Sequence, residues 1–203
     1  MTIIVLDGQG GGIGRAIISA LLPLLPQGAQ LLCVGTNAMA TAAMLKAGAQ
    51  RGATGENAVR WAAQNADILI APIALVLKDS MMGEITGDMA ASVGSSRATR
   101  ILVPTERCGT HVAGAHGVSM QALVEDAARQ AAAMAAGACA GFITAFLQTK
   151  LKIPSILAGI ITNTGLYTVN LAVMGFSSNV SMVKANTMFS LVKPYLGSFY
   201  KLI

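Results

Sequence analysis

No acidic residue occurs beyond Asp126, and no phenylalanine or tyrosine occurs before Phe142. The 203-residue chain is therefore made of two different materials. All nine Asp and Glu lie in the first part, where Trp61 is the single aromatic side chain. The remainder is acid-free, and segments this different were shaped by different surroundings. Cysteine is scarce as well. Cys33, Cys108 and Cys139 are odd in number, widely spaced and without a C-x-x-C pair, which argues against a disulfide framework or a zinc ribbon and for a reducing cytosol.

A concentrated basic face is also lacking. The formal net charge of +5 comes from Arg129, Lys150, Lys152, Lys184, Lys193 and Lys201, scattered along apolar sequence. A nucleic-acid partner needs clustered cations, so none is expected, and the scatter fits a membrane-facing segment better. Residues 2–6 are too short for a secretory leader and run straight into glycines, which places the first part on the cytosolic side. A single core usually closes at about 100 to 150 residues, so the expected division is a domain over residues 1–130 and a tail over 131–203.

What the first part does have is alternation. Residues 3–6, 30–34, 66–77 and 100–103 are short apolar runs that read as buried strands. Between and after them, residues 15–25, 37–46, 56–63 and 85–92 carry helical patterning, and Ser119 is placed to cap a long Ala-rich helix. Strands alternating with helices predict an α/β fold with a Rossmann-like, doubly wound parallel sheet. The tail predicts helices only. Its uncharged runs, 130–149 and 153–183, each suffice to cross a bilayer core of about 30 Å, and the second is richer in Ile, Leu and Val. If both crossed, Lys150 and Lys152 would lie outside, against the positive-inside tendency. A single span from Ile153 removes that conflict.

The sharpest chemical signal is GQGGGIG at residues 8–14, between the first strand and the first helix. A helix N-terminus offers free N–H groups and a positive dipole end to a phosphate, and glycine lets the phosphate approach. Gly8, Gly12 and Gly14 give a G-x-x-x-G-x-G spacing that resembles the cofactor turn of short-chain dehydrogenases. The alternative is a tight turn that only lets helix and strand pack closely. Those dehydrogenases need a Tyr-x-x-x-Lys pair, and the first tyrosine here is Tyr167, in the tail. Gly35, Thr36 and Asn37 stand where an acidic residue would hold the ribose of NAD, and no Walker Lys-Ser/Thr follows the glycines. The cofactor is thus expected to be a nucleotide or another phosphate-bearing ligand of unassigned identity.

Its candidate binding residues are Asp7, Gly8, Gln9, Gly10, Gly11, Gly12, Gly14, Thr36 and Asn37. Residues 78–80 and 106–108 also fall at strand ends, where ligands of such sheets sit, although helix capping explains polar residues there equally well. Thr54, Gly55, Glu56 and Asn57 read as a loop and helix start. Cys108, His111 and His116 lie in one loop, but three ligands at irregular spacing without a fourth do not make a metal site, and none is expected.

The words VLDGQGGGIG, VGTNAMATAAMLKAGA, GATGENAV, ADILIAPIALVL, SMMGEIT and ILVPTERC occur in order over residues 1–130. They closely resemble the family of small bacterial proteins known as domain of unknown function thirty-eight forty-two, which implies a Rossmann-like fold and no particular activity. GACAGFITAFLQTKLKIPSILAGIITNTGLYTVNLAVMG, residues 137–175, resembles the permease subunit of ABC importers of the branched-chain amino acid and sugar type, especially the tryptophan/tyrosine-like group. That second resemblance implies a membrane and ABC transporter subunits as partners. With one or two spans the segment is no transport pathway by itself.

Three readings stay open at this level. One is a binding module for a nucleotide or phosphometabolite, tethered to a membrane. Another is an enzyme acting on a phosphorylated ligand through Asp7, Asn37 or Cys108. The third is a permease remnant or fusion product whose first domain has no linked role.

Overall fold

Ile3, Ile4, Val5 and Leu6 are all fully buried, which consecutive strand residues achieve only when both faces of the sheet are covered. The computed structural model describes residues 1–105, 110–113 and 115–173, with side chains through Tyr167. Its elements are β1 (Thr2–Asp7), α1 (Gly12–Leu21), β2 (Gln30–Gly35), α2 (Ala38–Lys46), β3 (Arg51–Thr54), α3 (Glu56–Asn65), β4 (Ile68–Pro72), α4 (Gly87–Gly94), β5 (Thr99–Val103), α5 (Met120–Thr149) and α6 (Ser155–Val173). The strands form one sheet in the order β3-β2-β1-β4-β5, and every pair is parallel. The sheet grows from β1 to β3 in one direction and from β4 to β5 in the other. Connections therefore part company between β1 and β4, which opens a crevice beyond their carboxyl ends.

Alternation along β1 sorts the core into two layers. Ile3 and Val5 meet Ile17, Ile18 and Leu21 of α1 and Met44 of α2, together with Val124, Ala128 and Ala131 of α5. Ile4 and Leu6 meet Val59 and Ala62 of α3 and Met89 and Val93 of α4. The result is the α/β, Rossmann-like doubly wound architecture followed by apolar helices. Ser119 caps its helix as expected, and Asn37 and Thr86 cap two others. Asn37 accepts the Ala40 N–H at 2.9 Å, Thr86 the Met89 N–H at 3.1 Å and Ser119 the Ala122 N–H at 3.2 Å.

Two elements depart from the sequence expectation. β3 has no apolar signal because all four of its residues are exposed at the sheet edge. Pairing with β2, from Leu32↔Arg51 to Gly35↔Thr54, makes it a strand. The apolar run 66–77 is not one strand: β4 ends at Pro72 and Ile73–Val76 turns into a 3-10 helix. Leu75 stays buried in the same layer, so hydropathy alone does not mark the change.

The chain divides into two compact units, Met1–Cys139 and Ala140–Ile203, and α5 enters both. Among the described residues α5 is one helix long and apolar enough to cross a membrane, with mean hydropathy 1.5 over its most apolar stretch. Within the first unit, however, Val124, Ala127, Ala128, Ala131 and Ala135 form a buried stripe at helical spacing. That half of α5 is core. In the second unit the end of α5 and α6 are joined by a short turn, and Thr144 Oγ1 donates to Thr162 Oγ1 at 2.9 Å. Phe142, Phe146, Ile156 and Ile160 of this unit are exposed.

Candidate ligand site at the glycine turn

β1 delivers Asp7 to the base of the turn, where it is 2% exposed. Its Oδ1 accepts the Gly8 N–H at 2.8 Å and its Oδ2 the Gly14 N–H at 2.6 Å, so the carboxylate pins both ends of the turn from beneath. Burial pushes its pKa up, the backbone N–H groups pull the other way, and the nearby Glu84 charge adds to the rise. The net direction is upward. Gly11 adopts φ 68 and its N–H donates to Gly8 O at 3.0 Å, which turns the chain into α1.

The five glycines of the turn divide into two groups. A Cβ on Gly8 would lie 2.7 Å from Met81 Sδ, on Gly11 2.7 Å from Ala40 Cα, and on Gly14 2.5 Å from Met44 Sδ and 2.8 Å from Asp7 Cβ. Close packing accounts for these three. Gly10 and Gly12 have nothing within 4 Å of such a Cβ, and neither has a left-handed φ. Among the described residues neither of their N–H groups meets an acceptor. Both line a cavity of about 780 Å³.

The cavity lies at the crevice between the divergent strands. Asp7, Gly8 and Gln9 enter it from the end of β1, Ile73 and Leu77 from beyond β4, and Thr105 from beyond β5. Ile13 and Met120 add apolar wall, while Lys78, Asp79, Ser80 and Thr110 add polar groups. Lys78 Nζ is 3.8 Å from Asp79 Oδ2, and both side chains are largely exposed, so the pair leaves the ammonium available to an anion. Thr105 is only 7% exposed and lines the cavity.

Of the residues picked out from sequence, Asp7, Gly8, Gln9, Gly10 and Gly12 line this cavity, and Gly11 and Gly14 lie behind it. Thr36 and Asn37 do not line it. Both donate to the Glu84 carboxylate, Asn37 Nδ2 at 2.5 Å, and Glu84 Oε2 also accepts the Gln9 N–H at 2.9 Å. Burial works to raise the Glu84 pKa, but the hydrogen bonds from Thr36, Asn37 and Gln9 outweigh it and hold the carboxyl below its usual range. Residues 78–80 line the cavity, whereas Glu106, Arg107 and Cys108 lie outside the described residues, and with them the Cys108 member of the loop with His111 and His116. Among the described residues no cluster suits a metal ion. Thr54 ends β3 and Glu56 opens α3, where Glu56 accepts the Thr86 hydroxyl at 2.7 Å. Burial pushes the Cys33 thiol up to about 11, which makes it an unreactive core side chain.

Glu84, Thr105 and Met120 carry no local signal for the site. They lie far along the chain from the glycines, and only the crossover between the two halves of the sheet brings them there.

These features define a Rossmann-like α/β domain with a ligand-sized cavity at the switch point of its sheet. The chain belongs to the family described as Domain of unknown function (DUF3842), whose match runs over residues 2–136. The match extends past residue 130 to take in the buried Ala131 and Ala135 of α5. No curated protein matches the chain. Among solved structures, an FMN-dependent Ubix-like decarboxylase from Escherichia coli O157:H7 is similar at 17% identity and TM-score 0.33, over 66% of this chain and 76% of that one. A short chain dehydrogenase/reductase from Saccharomyces cerevisiae is similar at 13% identity and TM-score 0.35, over 73% and 66%. Another from Serratia marcescens stands at 17% and 0.33, over 72% and 67%. These are loose likenesses, and the cofactors in those names belong to those proteins. None of the proteins named here is a permease, so the likeness of residues 137–175 to one rests on its sequence words.

The division of the glycines has a direct check in thermal and urea unfolding. Gly14→Ala is expected to cost about 1 to 3 kcal/mol through overpacking against Met44 and Asp7. Gly10→Ala and Gly12→Ala are expected to be neutral or to gain up to about 1 kcal/mol. A loss at Gly10 or Gly12 as large as at Gly14 would show that packing explains all of them.

The raised Asp7 pKa makes a second expectation. The folded state holds a proton that the unfolded chain releases near 3.8, so this stabilisation is complete below that pH and is lost as pH rises through the higher folded value. Urea titrations across the acid range should show the wild type losing stability relative to Asp7→Asn over that window. A difference that stays constant with pH would mean the carboxyl ionises as it does in the unfolded chain.

Proposed function

We propose that the first unit is a binding module for a nucleotide or other phosphate-bearing metabolite, held at the mouth of α1. The observation that carries this reading is the pair Gly10 and Gly12, glycines that neither packing nor backbone conformation requires and that line the cavity. A phosphate there meets those N–H groups and the positive end of the α1 dipole, and Lys78 supplies a cation. The Asp7 carboxylate opposes an anion in this position. Phosphate binding is expected to raise its pKa further. A cavity of about 780 Å³ is the size of a small-ligand site. The apolar walls at Ile13, Ile73, Leu77 and Met120 suit the ligand's uncharged part.

A thermal-shift panel of nucleotides and phosphosugars on the chain tests this. At least one ligand should raise the melting temperature, and Gly12→Leu, which fills the mouth, should abolish the response while the protein stays folded. No response from any phosphorylated ligand, or an undiminished one in Gly12→Leu, would remove the proposed role.

The second unit is proposed to lie in a membrane, with the first unit on its cytosolic side. Exposed Phe142, Phe146, Ile156 and Ile160 and the absence of acidic residues support this, with a single span from Ile153, the end of α5 at the interface and Lys150 and Lys152 at the membrane edge. ABC transporter subunits as partners rest on the permease-like words of residues 137–175. The full chain is expected to sediment with membranes and to resist carbonate extraction. A soluble, monomeric full chain in the absence of detergent would overturn the membrane reading and leave the ligand site untouched.

A further inference from the structure

In doubly wound sheets a dinucleotide lies across the crevice, with one half on each side of the switch point, and the half over β2 sets its ribose hydroxyls on an acidic residue at that strand's end. Here β2 ends in Gly35, Thr36 and Asn37. The carboxylate that stands over them comes instead from Glu84, on the far side of the switch beyond β4. Both of its oxygens are in use: Oε1 accepts from the Thr36 hydroxyl and from Asn37 Nδ2, and Oε2 accepts the Gln9 N–H. Met81 of the same segment crowds Gly8 so closely that even a Cβ there would collide with its sulfur at 2.7 Å.

This cover is built into the fold. Asp79, Met81 and Met82 hold φ of 61, 54 and 62, a left-handed backbone that non-glycine residues keep only where their surroundings over-determine it. The three hydrogen bonds to Glu84 and the fully buried Ile85 anchor that segment. The cavity matches the cover. Its lining comes from the end of β1 and the start of α1, from the segments after β4 and β5 and from Met120, with no residue of β2 or α2. Thr105 lines its β5 end.

We propose that the site takes a mononucleotide, one phosphate joined to one ring system lying toward β4 and β5, and that Glu84 excludes dinucleotides by closing the β2 half of the crevice. This rests on reading the mouth of α1 as a phosphate site. A dinucleotide entering the closed half would have to break the Glu84 hydrogen bonds and bury groups unpaired, which corresponds to a loss of about tenfold or more in affinity.

The test is calorimetric titration of the full chain in detergent with FMN, NMN and AMP, each set against the dinucleotides FAD and NAD that contain them. At least one mononucleotide should bind, and its dinucleotide should bind about tenfold or more weakly. In Glu84→Ala that gap should narrow through a gain in dinucleotide affinity. A dinucleotide that binds the wild type as tightly as its mononucleotide overturns this proposal alone, as does an unchanged gap in folded Glu84→Ala. If Glu84→Ala does not fold, Glu84→Gln and the wild-type comparison decide. Absence of binding by every mononucleotide and dinucleotide overturns this proposal, and the phosphate-site reading falls with it where the phosphosugars also give no thermal shift.

Discussion

The Asp7 carboxylate, buried beneath the glycine turn and bonded to the Gly8 and Gly14 N–H groups, is the constraint on which the rest of the site depends. It ties the end of the central strand to the start of α1. The first turn of that helix is thereby aimed across the carboxyl edge of the sheet. Because Asp7 satisfies N–H groups from below, those of Gly10 and Gly12 are left for whatever lies above. Burial of the same carboxylate favours its protonated form, against the pull of the N–H groups whose hydrogen bonds it accepts.

The glycines of one motif divide by what surrounds them. Gly8, Gly11 and Gly14 are small because Met81, Ala40 and Met44 approach them closely. Gly10 and Gly12 face open space. Close packing and open cavity lining thus occur at different positions of the same seven residues. The neutral end of β2 also has a different meaning once Glu84 is placed. Thr36 and Asn37 act as donors to a carboxylate that arrives from across the switch point, and the crevice becomes one-sided.

The long helix α5 shows why apolar length alone is an ambiguous sign. Its first half buries alanines against the sheet, and small side chains let the helix approach closely at little entropic cost. Its second half, with α6, exposes large apolar groups. One continuous hydropathy signal thus covers two physical situations that only burial separates.

The sequence by itself determined the layered α/β plan, because strand and helix periods in residues 1–105 are local and strong. It also determined the position of the glycine mouth and the cap at Ser119, which depend on neighbours within a few residues. The tertiary structure alone decided β3, whose exposed residues are ordered by pairing with β2, and the end of β4 at Pro72, where a buried run changes backbone without changing hydropathy. It alone decided that Glu84, Thr105 and Met120 belong at the crevice. Their places depend on parallel crossovers that bring distant segments together, and such contacts leave no periodic trace in the chain.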